Sequence, residues 1–433
     1  MRFITKENPK IGEKYYRAKH PSGLEVVIVP KNHRKAFALF GTRYGSVNRV
    51  FKTEKDDDFI TVPDGIAHFL EHKLFENEDG SDTFAHFAKL GASCNAFTST
   101  EMTAYLFSAT QMYYENLKVL LRFVTTPYFT PETVEKEMGI IGQEIRMCHD
   151  EPFHQLYYGL LDALFQNHNV KVDIAGTEET ISHITSDILY RCYNTFYNLN
   201  NMLLVLCGPW DKKKVKKVMD EVLVKSEPIR IETRFPEEPK KINKKKVVKE
   251  FPVGTPLFAV GMKEDDLKKR ISPHQILRKQ AQHEILSDML FGKSSVFYNE
   301  LYDKGLIGDR FSLEYNLSRS YGYLLIFGES RRPESVYKKI YETVKTASEK
   351  ITVEDFERSK KAVYARAVQD WNSTTQISEN FMDFAFSGTD MLSYSDAIGE
   401  VTFEDIKKRI ALSYNPRRLA LSIVKPESRR KEK

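Results

Sequence analysis

The chain has 433 residues, 41% hydrophobic and 29% charged, which is typical of a globular protein with two or more domains. Its 65 basic and 60 acidic residues leave a net charge of only +5, and no basic motif interleaved with aromatic residues accompanies it, so nothing indicates a nucleic-acid partner. The N-terminus lacks the apolar core of a signal peptide, and no apolar run approaches the roughly 18 residues of a membrane span. The four cysteines form no CxxC pair. We therefore expect a cytoplasmic protein with reduced thiols.

Strand and helix patterns follow one another along the first half of the chain. Two apolar stretches, 24–29 and 36–40, resemble the strands of a hairpin, and a helix is predicted to begin near Ile66. Further helices are predicted near residues 84–90, 113–124, 131–147, 153–165 and 185–197, and further strands at 103–107 and 202–207. Strands followed by runs of helices indicate an α+β fold, with an antiparallel sheet covered by helices.

The second half of the chain repeats the first. Thr185…Tyr197-Asn198 matches Thr402…Tyr414-Asn415 at an offset of 217, and two upstream blocks match at offsets of 222 and 216. Strands of the second copy are predicted at 256–262, 321–327 and 419–424. We therefore predict two tandem homologous domains, 1–225 and 248–433. The segment 226–247 would be a linker, and the basic run 240–249 is expected to be solvated.

The predicted helix near Ile66 carries His68-Phe-Leu-Glu71-His72, an H-x-x-E-H pattern. Residues three and four apart share a helix face, so both imidazoles and the carboxylate form one cluster. Two neutral histidines and a carboxylate from elsewhere make a catalytic zinc site with one position open to water. In the repeat, these three positions correspond to Glu284, Ser287 and Asp288. The fold by itself therefore does not require the H-x-x-E-H residues.

A third ligand is needed, and a carboxylate is expected. Glu76, Glu78 and Asp79 are near in sequence, but one straight helix cannot surround an ion from three sides. The predicted helix 131–147 offers Glu137 and Glu144, which are seven apart and share a face. In the repeat these positions are Ser359 and Arg366, so both carboxylates are lost together with the histidines.

These motifs resemble those of the inverted-zincin peptidases, the family of insulinase, pitrilysin and the mitochondrial processing peptidase. In that family H-x-x-E-H is followed, some seventy-odd residues later, by a ligand glutamate with another glutamate seven before it. Glu144 lies 72 residues after His72, and Glu137 has the companion position. The resemblance extends over nearly the whole chain, including Asn95-Ala-Phe-Thr98 and Gly176-Thr177, and is strongest to a bacterial cytosolic branch.

The resemblance implies roles for individual residues. It implies that Zn²⁺ is held by His68, His72 and Glu144, and that Glu71 is the general base. Glu137 would orient a ligand histidine through its free ring N–H. The segment Asn95, Ala96 and Phe97 would be an edge strand along which a peptide substrate lies as an added strand.

The family folds two such halves into one side of a clamshell, so the resemblance also implies a dimer. Active members carry an Arg and a Tyr seven apart that help to bind substrate, but Tyr302 and Asp309 stand at those positions here. Arg310 and Tyr315 lie nearby at the wrong spacing. The partner is therefore expected to be a second copy or a related subunit that supplies the Arg/Tyr pair.

Two functions follow from these observations. The leading one is a zinc metalloendopeptidase that cleaves extended peptides or unfolded segments inside a dimeric clamshell chamber. The alternative is a non-catalytic peptide-binding or assembly subunit of a peptidase complex.

Overall fold

The structure is a computed structural model that describes residues 1–264, 266–267 and 271–427. The strands before residue 210 are β1 (Ile4–Asn8), β2 (Glu13–Lys19), β3 (Glu25–Pro30), β4 (Ala36–Thr42), β5 (Val50–Thr53), β6 (Ile60–Thr61), β7 (Ala92–Thr98), β8 (Thr103–Ala109) and β9 (Met202–Gly208). The helices up to residue 222 are α1 (Ile66–Lys73), α2 (Thr83–Lys89), α3 (Tyr113–Thr125), α4 (Pro131–His149), α5 (Pro152–Leu164), α6 (Glu178–Ile181), α7 (Ser186–Phe196) and α8 (Lys212–Val222).

The rest of the described chain repeats this alternation of strands and helices. Its strands are β10 (Ile231–Thr233), β11 (Lys246–Phe251), β12 (Leu257–Lys263), β13 (Ser312–Leu317), β14 (Gly322–Glu329) and β15 (Leu419–Pro426). Its helices are α9 (Pro273–Phe291), α10 (Val296–Asp303), α11 (Pro333–Lys345), α12 (Ala347–Lys350), α13 (Val353–Gln369), α14 (Thr374–Phe386), α15 (Met391–Glu400) and α16 (Phe403–Ser413).

The two main sheets have the same strand order, which confirms the internal repeat. The first runs β1-β2-β3-β9-β4-β8-β7 and the second runs β11-β15-β12-β14-β13, so the five strands of the second correspond in order to β3, β9, β4, β8 and β7 of the first. Each sheet is antiparallel except for one parallel pair, β3 with β9 and β11 with β15. Two sheets of this kind, each covered by helices, confirm the predicted α+β class with two tandem homologous domains.

The strands β3 and β4 do not form the hairpin expected from their sequence. The strand β9 lies between them and pairs with both. Every residue of β9 is buried, and its apolar side chains occupy a central place where both faces and both edges are covered. Burial of this distant strand therefore outweighs the local pairing of two neighbours in sequence.

Each half of the chain covers the sheet of the other half with one helix. The helix α5 packs against β12 and β15, and its counterpart α14 packs against β4 and β9. The close approach depends on glycines in equivalent strands. A Cβ on Gly41 would lie 2.3 Å from Met382 of α14, and one on Gly261 would lie 2.6 Å from Leu164 of α5. Each of these helices covers the central strands of the other half's sheet and so ties the halves together.

The segment proposed as a linker takes part in the folded structure. The strand β10 pairs with β5, and Glu238 accepts hydrogen bonds from the backbone N–H groups of Gln166, Asn167 and His168. The basic run 240–249 is largely exposed, as predicted, but it is not all linker, because β11 begins at Lys246 and pairs with β15. Alternate residues of β11 are exposed, among them Lys246, whereas Lys249 is half-buried and donates a hydrogen bond of 2.6 Å to Gln155 Oε1.

Among the described residues, no helix is both long enough and apolar enough to cross a membrane.

Candidate metal centre

The helix α1 begins at a position that only glycine fits. Gly65 has φ 89°, and a Cβ there would lie 2.4 Å from the carbonyl oxygen of Ala175. Nearly every residue of α1 is buried, including His68 and Glu71. The start of the helix is thereby fixed against the loop that contains Ala175, and this fixes where the motif side chains point.

The structure brings three of the predicted residues to one point. Glu144, on α4, places Oε1 3.6 Å from His68 Nε2 and Oε2 3.4 Å from His72 Nε2. One donor atom from each residue lies within 4.8 Å of the other two. The helix α4 begins with a capping box at Thr130 and a proline in its first turn, so its start, and with it the position of Glu144, is well defined.

Glu137 contacts His72 on the side of the ring that faces away from Glu144. Its Oε1 is 3.0 Å from His72 Nδ1, the ring nitrogen that faces away from Glu144. A proton on Nδ1 donated to this carboxylate leaves Nε2 with its lone pair directed into the cluster. Glu137 and Glu144 of α4 therefore have different geometric roles, although both share the face turned to α1.

Glu71 is buried beside this cluster and is held by the edge strand β7. Its Oε2 accepts a hydrogen bond of 2.6 Å from Thr98 Oγ1. Burial raises the pKa of Glu71, an effect that the Thr98 hydrogen bond and the two nearby histidines only partly offset. A carboxylate with a raised pKa, fixed in one orientation, is suited to take up a proton and release it again.

The charges of the cluster favour a carboxylate at Glu144. The neighbouring His68, reinforced by His72, lowers the pKa of Glu144 despite its partial burial. Burial opposes the charged form of His72, but Glu137, Glu144 and Glu71 together outweigh it and raise the pKa of His72. The cluster therefore places negatively charged carboxylates beside two imidazoles, and this concentration of negative charge would favour a bound cation.

The corresponding positions in the second half hold residues that form an ion pair and a hydrogen bond. Asp288, the counterpart of His72, forms an ion pair of 2.9 Å with Arg366, the counterpart of Glu144. Ser287, the counterpart of Glu71, is hydrogen-bonded to Tyr414 at 3.0 Å. Among the described residues, α9 contributes to no group of histidines and carboxylates that could hold a metal. The helices α9 and α13 contact each other as α1 and α4 do, but the side chains between them form an ion pair in place of a cluster of histidines and carboxylates.

The donor set of the first half fits a zinc ion. Imidazole nitrogen and carboxylate oxygen are both ordinary zinc ligands, and three protein ligands leave a fourth position open. The donor separations of 3.4 and 3.6 Å are close to the ~3.3 Å expected between ligands of a tetrahedral ion with ~2.0 Å bonds. Glu76, considered above because of its proximity in sequence, is ion-paired with the fully buried Lys73 instead.

The segment Asn95–Phe97 lies in β7, which is the last strand of the first sheet and pairs there with β8. Side chains alternate along a strand, so Ala96 and Thr98 point to one face and Asn95 and Phe97 to the other. The Thr98 hydrogen bond to Glu71 ties this edge strand to the motif helix. Sequence reasoning stopped at Phe97 and missed Thr98, although strand alternation from Ala96 could have indicated it.

The residues at the expected Arg/Tyr positions have other surroundings. Tyr302 is half-exposed and stacks on Tyr298 with ring centroids 5.7 Å apart. Of the two nearby alternatives, Arg310 forms an ion pair of 2.5 Å with Glu329, and the Tyr315 hydroxyl donates to Glu264 at 3.2 Å. Both side chains are therefore engaged within the chain itself.

Comparison with known proteins places this geometry in context. Residues 62–178 match the family model described as insulinase (peptidase family M16), and residues 183–363 match the one described as peptidase M16 inactive domain. The uncharacterized zinc protease YmfH of Bacillus subtilis (strain 168) is 38% identical over 433 residues, which covers 98% of this chain and 99% of that relative.

Solved structures give the same comparison in three dimensions. An M16-like peptidase from Alicyclobacillus acidocaldarius superimposes with a TM-score of 0.90 at 34% identity, over 99% of both chains. Pitrilysin has the same fold, with a TM-score of 0.74 at 14% identity, and the match covers 98% of this chain but only 46% of the pitrilysin chain. The chain therefore corresponds in fold to one half of that larger molecule.

Proposed function

Because the chain belongs to the insulinase family of peptidases (peptidase family M16), we propose that it is a zinc-dependent endopeptidase that cleaves extended peptides. The observation that carries the proposal is the convergence of His68, His72 and Glu144 on one point beside the buried Glu71. Relatives named as zinc proteases support both the metal and the class of reaction.

In this proposal His68 and His72, through Nε2, and Glu144, through its carboxylate, hold Zn²⁺. The ion, when bound, supplies Lewis acidity and lowers the pKa of a water molecule to about 7. Glu137 accepts the Nδ1 proton of His72 and so keeps the ring in the tautomer that presents Nε2. This contact orients one of the three donors, His72, before any metal binds.

Glu71 handles the protons of the reaction. Its carboxylate takes a proton from the attacking water and later delivers it to the nitrogen of the leaving amine. Thr98 holds Oε2, so the remaining oxygen is available for this exchange. Burial raises the pKa of Glu71, which makes the protonated form accessible between the two steps.

The substrate would pair with the edge strand β7 as an added strand. Asn95, Ala96 and Phe97 lie on this edge, and main-chain hydrogen bonds from a strand edge recognise an extended backbone with little regard to its side chains. Thr98 lies at the end of the same strand, in contact with Glu71. A peptide laid along β7 would therefore pass close to the proposed base.

We further propose that a second subunit closes the active site into a clamshell chamber. The match to only 46% of pitrilysin supports a molecule that supplies one side of such a chamber. Tyr302 and Asp309 occupy the positions of the expected Arg and Tyr, so a related subunit with that pair is the favoured partner over a second copy of this chain. Groups that stabilise a developing oxyanion are typically worth ~10²–10³-fold in rate.

The test is a Glu71→Gln variant. We expect it to keep zinc and fold but to lose at least ~10²-fold in peptide cleavage, because an amide cannot accept the proton of water. The matched control is Glu284→Gln, the same change on the equivalent helix of the second half. Cleavage of an unstructured fluorogenic peptide, together with metal content, would be measured for all three proteins, alone and with a related subunit.

One outcome would contradict the role of Glu71, and another would contradict an active peptidase. Unchanged turnover in zinc-loaded Glu71→Gln would exclude this residue as the base. If the wild type binds the peptide but cleaves it in neither condition, the chain is a peptide-binding or assembly subunit. The departures at Tyr302 and Asp309 are the observation that favours this second function.

A further inference from the structure

We propose that His149, His154 and Asp173 form a second divalent-metal site on this chain, separate from the H-x-x-E-H cluster. His149 is the last residue of α4, His154 lies in the first turn of α5, and Asp173 lies in the loop that follows. One donor atom of each lies within 4.8 Å of the others. Among the described residues, only this group and the one at His68, His72 and Glu144 show such an arrangement.

The distances suit a transition-metal ion. Asp173 Oδ2 lies 2.7 Å from His154 Nε2 and 3.8 Å from His149 Nε2. These separations bracket the ~3.3 Å expected between ligands of a tetrahedral ion with ~2.0 Å bonds, so small side-chain movements would suffice. Two imidazoles and one carboxylate select zinc and its neighbours over calcium or magnesium, which prefer sets made entirely of oxygen ligands.

Asp173 is held in place for this role by its own loop. Its Oδ1 accepts a hydrogen bond of 3.0 Å from the backbone N–H of Ala175, so Oδ2 is the oxygen left facing the two histidines. The Asp173 side chain is 16% exposed and that of His154 is 19% exposed, whereas His149 is 47% exposed. A cation can thus enter from the His149 side and meet two partly buried ligands.

The proposed ion would fasten the scaffold of the first cluster. His149 lies five residues beyond Glu144 on α4, roughly 7–8 Å along the helix axis. The loop that carries Asp173 continues to Ala175, whose carbonyl packs against Gly65 at the start of α1. An ion shared by α4, α5 and this loop would therefore connect the two helices that carry the H-x-x-E-H cluster, and its binding would stabilise the folded state.

A simple ion pair between His154 and Asp173 is the competing explanation. The chain contains a matched example of such a pair on its surface, His274 Nε2 to Glu400 at 2.8 Å, for which the described residues offer no third ligand. His274→Ala is therefore a suitable control. His149→Ala is the main test variant, because His149 is the most exposed member of the group and its removal leaves the His154–Asp173 pair intact.

The experiment measures bound zinc by equilibrium dialysis and elemental analysis of the untagged chain. We expect about two equivalents for the wild type and for His274→Ala, and about one for His149→Ala and for the shape-conserving Asp173→Asn. The double variant His68→Gln/His72→Gln should also retain about one equivalent, and adding His149→Ala to it should remove that one.

The metal content decides the question without any activity measurement. Circular dichroism and thermal melting of each variant report whether it is folded, and zinc should raise the melting temperature of His68→Gln/His72→Gln but not of the triple variant. The proposal is overturned if folded His149→Ala and Asp173→Asn both bind as much zinc as the wild type, or if folded His68→Gln/His72→Gln binds none. If zinc binds at His149, His154 and Asp173 but not at His68, His72 and Glu144, the second site is supported and the proposed zinc peptidase is contradicted.

Discussion

Glu144→Gln provides the most direct test of the metal centre, because the structure assigns different places to Glu137 and Glu144 of α4. Glu144 lies within 3.6 Å of both His68 Nε2 and His72 Nε2, whereas Glu137 contacts the opposite nitrogen of His72 at 3.0 Å. An amide at position 144 keeps the size of the side chain and removes the charge that would face the ion. The same change at position 137 leaves all three ligands present and disturbs only the orientation of one.

The expected magnitudes follow from these positions. Loss of a group that orients a metal ligand typically costs ~10–100-fold in affinity, so Glu137→Gln should weaken zinc binding by about 1.4–2.7 kcal/mol. Glu144→Gln should weaken it by more than ~100-fold, because a charged ligand is lost as well as its orientation. Glu135→Gln is the control, because Glu135 is exposed on the same helix and its substitution removes the same charge.

The assay is competition for zinc against a chromogenic chelator, with circular dichroism to confirm that each variant is folded. The expected order of affinity is wild type equal to Glu135→Gln, then Glu137→Gln, then Glu144→Gln. Wild-type affinity in Glu144→Gln together with loss in Glu137→Gln would show that the wrong glutamate was assigned as ligand. Equal losses in both would show that the distinction drawn from the distances is incorrect.

Two further predictions concern the partner and the stability of the fold. Adding a homologous subunit that carries the Arg/Tyr pair but no H-x-x-E-H should raise peptide cleavage by the pure chain ~10²–10³-fold, because Tyr302 and Asp309 stand at those positions here. Strong activity of the pure chain that the partner leaves unaltered would refute this. Burial, aided by the charge of Lys263 and opposed by Glu238, lowers the pKa of His168 to about 4 from 6.5, and its Nδ1 accepts the Val170 N–H at 3.0 Å. The neutral ring therefore contributes stability that is present above pH ~6.5 and is lost as the pH falls toward ~4, by about 3 kcal/mol in total. In urea unfolding, His168→Asn should be destabilised relative to the wild type at pH 7 and less so at pH 5, and a difference independent of pH would contradict this reasoning.

Much of the local structure could be predicted because its signals lie within a few residues of one another. Thr130 followed by Pro131 gave the start of α4, and the helical spacing of His68, Glu71 and His72 gave the candidate cluster on α1. The repeat, visible as matched blocks, anticipated two sheets, and the strand orders agree. Helix α8 and the strands β1, β2, β5, β6, β10 and β13 were missed, since brief or strongly charged segments carry weak apolar patterns.

The sequence by itself determined the repeat, the helices that carry the motif and the residue types able to hold a metal, because caps and apolar periodicity act over short distances. Only the tertiary structure decided that β9 separates β3 from β4 and that α5 and α14 cover each other's sheets. It also decided that Thr98 meets Glu71 and that Asp173 meets His149 and His154. These pairings join residues distant in the chain, and they are selected by the burial of whole surfaces, which no local pattern records.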